Sequence, residues 1–447
     1  LGTAAGVSAQ EEPSRDASLA SLLEQAEARN PEVLAARRSA EAAAARVPQA
    51  GALPDPVLGF GVINFPVANP SFGREMMTMT TIQVGETFPL FGKLGLREDV
   101  ARHEGEAAEW EVERARQNVL ADVKAAYYEI YFVDRALQVT GRNEMLVGDF
   151  ARLTATKYGV GAGVQPDVLK AQVERTRLDD QLVALRERRV SAAARLNALL
   201  DRPTDTPVPS ARLPERVRVA ALANGGEGEA IAFTSDALGG AAASAEGARV
   251  AAGRAPAPGI PTVTELQQLA LQHNPMIQAH VRRIAAQRSA LSLAGKAKLP
   301  DFNVSVAYSR RPDFADFVNL MVSVPVPIFA GRKQDQAVIE QAAMLAQHQA
   351  THTTMVNQLN DEIASLAAEL RRARDQLVLL NDGILPQART SLASSTSSYR
   401  VGNVDFLTLL DAQVTLFRHE LDYHRLLADF ATNVANLERA VGTEVLQ

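Results

Sequence analysis

His348 and His352 stand four residues apart, a spacing that puts two imidazoles on one face of a helix and can bind zinc. The glutamate of an H-E-x-x-H metalloprotease helix is missing, so the pair reads as exposed residues of a long solvated helix. Met76, Met77 and Met79 offer soft sulfur that suits Cu(I). They fall where a loop enters a strand-like segment, and packing on a sheet surface accounts for them. Gly159, Gly161 and Gly163 make a glycine-rich turn without the preceding strand or the lysine of a phosphate loop. No nucleophile triad and no paired carboxylates stand out. The chain has no cysteine, which removes thiol catalysis, disulfides, cysteine metal ligands and a lipidated cysteine. The residues therefore point away from an enzyme and imply no cofactor and no resident metal. What remains is a set of aspartates around a turn that occurs twice.

That turn reads YGVGAGVQPDVLKAQV at 158–173 and YRVGNVDFLTLLDAQV at 399–414, in gapless register. Three further landmarks recur in the same order. LLEQAEARNPEV at 22–33 matches LQQLALQHNPMI at 266–277, LPDPVLGFGV at 53–62 matches LPDFNVSVAY at 299–308, and FPLFGKL at 88–94 resembles VPIFAGRK at 326–333. An ordered set of repeats means a duplication. Residues 1–9 have the small apolar character of a signal-peptide tail, the first repeat occupies 16–200, and the second occupies 262–447. Between them, 201–261 is rich in Pro, Gly and Ala and reads as a linker with little structure of its own.

Each repeat needs the same elements to position its turn. A short helix runs into Asn-Pro, where proline starts a second helix. Strand-like segments follow at 56–64 and 77–88, and again at 301–310 and 317–326. Long helical hairpins then occupy 93–200 and 331–443. Val119, Val123, Ala126, Ile130 and Val133 follow alternating four- and three-residue steps, and Leu359, Ile363, Leu366, Leu370 and Ala373 repeat them. A sustained period of that kind means helices packed side by side. A helix of ~65 residues is on the order of 100 Å long, so the hairpin is a rod that buries its seams against other rods.

In the strand segments Phe302, Val304, Val306 and Tyr308 alternate with Asn303, Ser305 and Ala307. Val318, Leu320 and Val322 alternate with Asn319, Met321 and Ser323, and Leu58, Phe60 and Val62 with Gly59 and Gly61. Alternation alone fits a sheet with one face on a soluble core, and it also fits strands of a transmembrane barrel. Four strands cannot close around an aqueous channel, so a barrel requires several chains to pool theirs. No segment approaches the ~20 apolar residues of a membrane-spanning helix, so any span must be built of strands. The net charge of −6 argues against a nucleic-acid partner, and the 5% aromatic content suits long helices.

Together these landmarks resemble the TolC-like outer-membrane efflux proteins, with the segment from LPDPVLGFGV to TFPLFGKLGLREDVA most similar to the branch serving metal-ion and drug pumps. The resemblance covers nearly the whole chain outside 1–15 and 201–261. It implies a mainly helical chain with a small membrane β part. Four strands per chain join a homotrimeric twelve-stranded barrel, continued by a long periplasmic α-barrel. It further implies residence in the outer membrane, contact with its lipid, and partners in a periplasmic adaptor and an inner-membrane transporter. The expected role is a passive exit duct. The hairpin-tip turns would be carried by Tyr158, Gly161, Asp167, Tyr399 and Gly402, and the pore gate by Leu407 and Asp411. Asp411 corresponds to Lys170 in the first turn, so the two tips share a fold but not a job. The chain departs from the family at Thr408, where relatives often carry a second aspartate, and at Val404, where they carry a basic latch residue; Arg400 is the nearest cation and Asp405 has no evident partner. The rival reading is a soluble coiled-coil scaffold capped by a small sheet.

Overall fold

The computed structural model describes residues 19–68, 70–72, 75–222 and 261–446. The expected signal-peptide remnant lies outside them, as does 223–260 of the expected linker. In chain order the elements are α1 (Leu19–Arg29), α2 (Pro31–Gly51), β1 (Val57–Ile63), β2 (Met79–Phe88), α3 (Lys93–Gly159), α4 (Gln165–Leu199), α5 (Glu215–Leu222), α6 (Val263–His273), α7 (Pro275–Lys296), β3 (Phe302–Arg310), β4 (Phe317–Ser323), α8 (Gln334–Val378), α9 (Leu385–Arg400) and α10 (Phe406–Val441). No described helix is both long and apolar enough to cross a membrane. The chain forms two compact units, each drawing on both repeats. One gathers the residues up to Leu34, Ala115–Asn274 and Gln358–Gln447; the other gathers Ala35–Arg114 and Pro275–Asn357.

The first unit buries the seams that the spacing marked. Val119, Val123, Ile130 and Val133 of α3, Leu178 and Leu196 of α4, and Leu359, Ile363, Leu370 and Leu377 of α8 are all buried. Ion pairs cross these seams: Lys124 meets Glu438 at 2.6 Å and Arg189 meets Asp134 at 3.0 Å. The repeated Asn-Pro has the same task twice. Asn30 Nδ2 donates to Leu199 O at 2.9 Å, and Asn274 Nδ2 donates to Ala440 O at 2.8 Å. Each buried asparagine thus satisfies a carbonyl that the end of a long return helix leaves without an intrahelical donor.

Two features depart from expectation. The start of the 201–261 segment is structured rather than loose. Tyr127 Oη accepts from Arg212 N and donates to Arg212 O, Arg189 donates to Val208 O, and α5 buries Val217, Ala220 and Ala221. The second long helix is also not uniform: Leu379–Ile384 form a π-helical stretch between α8 and α9. Pro386 supplies the reason. It has no N–H for residue 382, and its ring would press on that carbonyl in a regular α-helix, so the widened turn accommodates it.

Gly442 ends α10 with φ +89°, and a Cβ there would lie 2.3 Å from His273 O and 2.5 Å from His273 C. Both the backbone conformation and the neighbouring chain forbid a side chain. Gly442→Ala is expected to destabilise this unit by about 2–4 kcal/mol. The measurement is a denaturant melt; an unchanged midpoint would contradict the packing of α10 on the α6–α7 junction.

The second unit is built on one antiparallel sheet of order β1-β2-β3-β4. Lys93 at the start of α3 anchors the entry to β3. Its buried ammonium donates to Leu299 O at 2.5 Å and to Asp301 Oδ1 at 2.7 Å. α7 pairs with α3 through Arg283–Glu111 at 2.7 Å and Arg282–Glu106 at 3.1 Å.

Candidate functional site

The register of the sheet sorts its residues into two unlike faces. Phe60 pairs with Ile82, Ile82 with Tyr308, and Tyr308 with Val318; one step along, Leu58, Val84, Val306 and Leu320 line up in the same way. Since opposed residues point to one face, the middle of this face is apolar across all four strands, with Thr80, Arg310 and Glu86 at its ends. It is also exposed: Phe60 is 74% accessible, Val318 71% and Leu320 70%. The other face carries Gly59, Gly61, Thr81, Gln83, Gly85, Ser305, Ala307, Ser309 and Asn319 along its middle, with Val57, Phe317 and Met321 on the two edge strands. There Thr81 and Ser309 are buried and share a hydrogen bond of 2.9 Å between their hydroxyls. A water-soluble sheet does the reverse, hiding its apolar face and wetting its polar one. Among the described residues the outer edges of β1 and β4 have no strand partner, which leaves two rows of backbone groups open to pairing.

The paired turns close by one hydrogen-bond scheme. Gly161 N donates to Tyr158 O and Ala162 N to Lys157 O; Gly402 N donates to Tyr399 O and Asn403 N to Ser398 O. These are the two bonds that end a helix around a left-handed residue. Gly161 and Gly402 supply that residue, with φ of +76° and +84°. Repetition of the sequence is therefore repetition of a helix stop.

The surroundings of the turns differ. Tyr158 is half exposed, whereas Tyr399 is buried with Phe150, Ala171, Phe406 and Leu409. Burial raises the Tyr399 phenol above its ordinary range, with the charge of Asp167 adding to the effect. Lys157, from the first turn, reaches the second: its Nζ donates to Tyr399 O at 2.5 Å and lies 4.4 Å from the centre of the Tyr399 ring. Lys157 thus ties the first turn to the second. Asp405, without an evident partner in the sequence, caps α10 by accepting from Thr408 N at 2.8 Å and Thr408 Oγ1 at 2.5 Å. Those two bonds, with Lys170 close by, hold its carboxyl below the usual range. Thr408 and Lys170 thus both serve the tip.

Leu407 and Asp411 share the open side of α10. Phe406, Leu409 and Gln413 on the opposite side are buried, while Leu407 is 54% accessible and Asp411 is exposed. Both side chains are therefore open to contact from outside the chain.

Lys157→Met would remove both a charge-assisted hydrogen bond and a cation–π contact. Each is worth on the order of 1–2 kcal/mol when partly buried. Amide hydrogen exchange at 399–406 is expected to speed up by roughly tenfold or more; unchanged protection would show that Lys157 does not hold the second turn.

The methionines and the histidine pair do not come together. Met76 and Met77 are exposed and Met79 is buried, so the three methionines do not form one soft-ligand cluster. His348 and His352 lie on α8. A cleft of about 690 Å³ in the first unit is lined by Arg135, Arg142, Arg389, Glu420 and His424 among others. Glu420 pairs with Arg389 and Arg142 there, and burial pushes His424 down to about 4, so it is neutral at physiological pH.

Comparison with known proteins gives one consistent result. The family model described as outer membrane efflux protein matches residues 22–202 and 266–443. The cobalt-zinc-cadmium resistance protein CzcC of Cupriavidus metallidurans is 21% identical over 370 residues, covering 83% of this chain and 78% of CzcC. Among solved structures, the outer membrane protein VceC of Vibrio cholerae superposes with a TM-score of 0.74 at 18% identity, covering 96% of this chain and 97% of VceC. The CmeC outer membrane channel of Campylobacter jejuni gives 0.74 at 14% identity, covering 96% and 86%. At such identities these structures share the fold.

Proposed function

Because the chain belongs to the outer membrane efflux protein family, we propose that it is the outer-membrane exit duct of a tripartite efflux system, a passive channel opened at its helical tips. The observation that carries this reading is the four-stranded sheet. Its apolar face is exposed, its small and polar residues are concentrated on the opposite face, and among the described residues both its edges are open. Three copies related by a threefold axis would pair β4 of one with β1 of the next. That closes twelve strands with lipid outside and water inside, and it leaves no edge.

In the same trimer the tips would meet on the axis. Leu407 would form a dry constriction, and Asp411, one turn away, a negative collar favouring cations. Docking of a periplasmic adaptor and an inner-membrane transporter would supply the free energy to separate the tips, since the duct has no energy source of its own. The name of the Cupriavidus relative points to cobalt, zinc and cadmium ions as cargo.

The test is fractionation of cells expressing the full chain. The protein is expected in the outer membrane, extractable only with detergent, running on a gel as a trimer that heating converts to the 48.0 kDa chain. A water-soluble monomer would overturn the reading in favour of a coiled-coil scaffold.

A further inference from the structure

α7 and α8 lie side by side in the unit that carries the sheet: Gln287 Nε2 donates to Gln341 O at 3.2 Å and to Gln341 Oε1 at 2.8 Å. Two turns earlier on α7, His280 enters the same interface and meets both histidines of the H-x-x-x-H pair. Its ring centre is 5.6 Å from that of His348 and 5.7 Å from that of His352. His280 is only 3% accessible. Nδ1 of His280 and Nδ1 of His352 are both shielded from solvent without a hydrogen-bond partner. Two orphaned imidazole nitrogens at one spot are costly in a helix interface. Three apolar side chains would fill the same space without that cost.

The spacing is one that an ion can use. Two imidazoles that bind one zinc ion through nitrogens at about 2.0–2.1 Å have ring centres roughly 5–6 Å apart. The nearest arginines on α7 are engaged elsewhere, Arg282 with Glu106 and Arg283 with Glu111. As the side chains stand, no three His, Cys, Asp or Glu among the described residues are arranged to hold an ion, so closing the site calls for rotation of the rings.

We propose that His280, His348 and His352 form a binding site for a first-row divalent cation such as Zn²⁺, with the ion tying α7 to α8. Imidazole nitrogen suits this class of metal, and three ligands leave a fourth position for water. The ion would be a resident cross-link rather than cargo in the bore. The proposal stands on these three residues and not on the duct reading, which is tested by trimer formation and conductance.

The experiment is titration of the metal-stripped full-length protein with Co²⁺, read by its visible ligand-field absorption, followed by competition with Zn²⁺. One Co²⁺ per chain is expected, displaced by Zn²⁺, with Zn²⁺ also raising the unfolding temperature. His348→Gln and His352→Gln, on the more open helix face, are each expected to weaken binding by about tenfold or more, and the double variant to abolish the absorption and the thermal shift. His280→Gln should do the same. His419→Gln, on α10, should bind as the wild type does. Absence of stoichiometric binding by the wild type, or binding that survives in the His348/His352 double variant, would overturn the site.

Discussion

Val306→Arg is expected to remove the heat-stable trimer from the outer membrane. Val306 sits mid-strand on β3, paired with Val84 on one side and Leu320 on the other, in the middle of the exposed apolar face. In a barrel wall that position faces the hydrocarbon core. An arginine there costs about 2–4 kcal/mol at the bilayer midplane, and threefold symmetry imposes the cost three times on one assembly. The trimer band of the outer-membrane fraction should fall by roughly tenfold or more. Asn319→Asp is the matched control, because Asn319 belongs to the opposite, polar face. A charge added to the face that would line water in the proposed barrel should leave the trimer near wild-type abundance. Equal trimer in both variants would show that the apolar face does not meet lipid, and the soluble scaffold would regain its place.

The second large effect is expected at the tip. Leu407→Ala with Asp411→Ala should raise single-channel conductance in planar bilayers several-fold. The two residues lie at i and i+4 on the open side of α10, so they project together. In the proposed gate, truncating Leu407 would remove the apolar plug, and truncating Asp411 would remove the charge that concentrates cations at the constriction. The variants separate these parts: Asp411→Ala alone should reduce cation preference, and Leu407→Ala alone should raise conductance while keeping it. Neither change touches the buried side of α10, so trimer yield should not move. Conductance in the double variant equal to that of the wild type would remove the gate assignment.

Much of the fold was legible because it is written in periods. Val119, Val123, Ile130 and Val133 announced a helix seam by spacing, and all four are buried. The alternation of Val304, Val306 and Tyr308 announced a strand. It could not say which face is wet, because that depends on register against Ile82 and Val84 in the other repeat. The two turns were visible as glycines at matched positions, and their shared hydrogen-bond scheme follows from the same spacing.

What escaped depends on partners far away in the chain. Lys157 looks like an ordinary last-turn lysine until Tyr399 lies beneath it. His348 and His352 read as a solvated pair because nothing local reveals His280. α5 offers only Val217, Ala220 and Ala221 as buried contacts, too few to show a period. The role of Asp405 was readable in principle, since an aspartate three residues before Thr408 at a helix start is a capping arrangement. The π-helical stretch was signalled by Pro386.

Planar-bilayer recording from the purified wild-type protein tests the central claim most directly. The account predicts discrete, small, cation-preferring conductance steps from a detergent-solubilised trimer. A purified protein that stays soluble without detergent and inserts no conductance steps would contradict it.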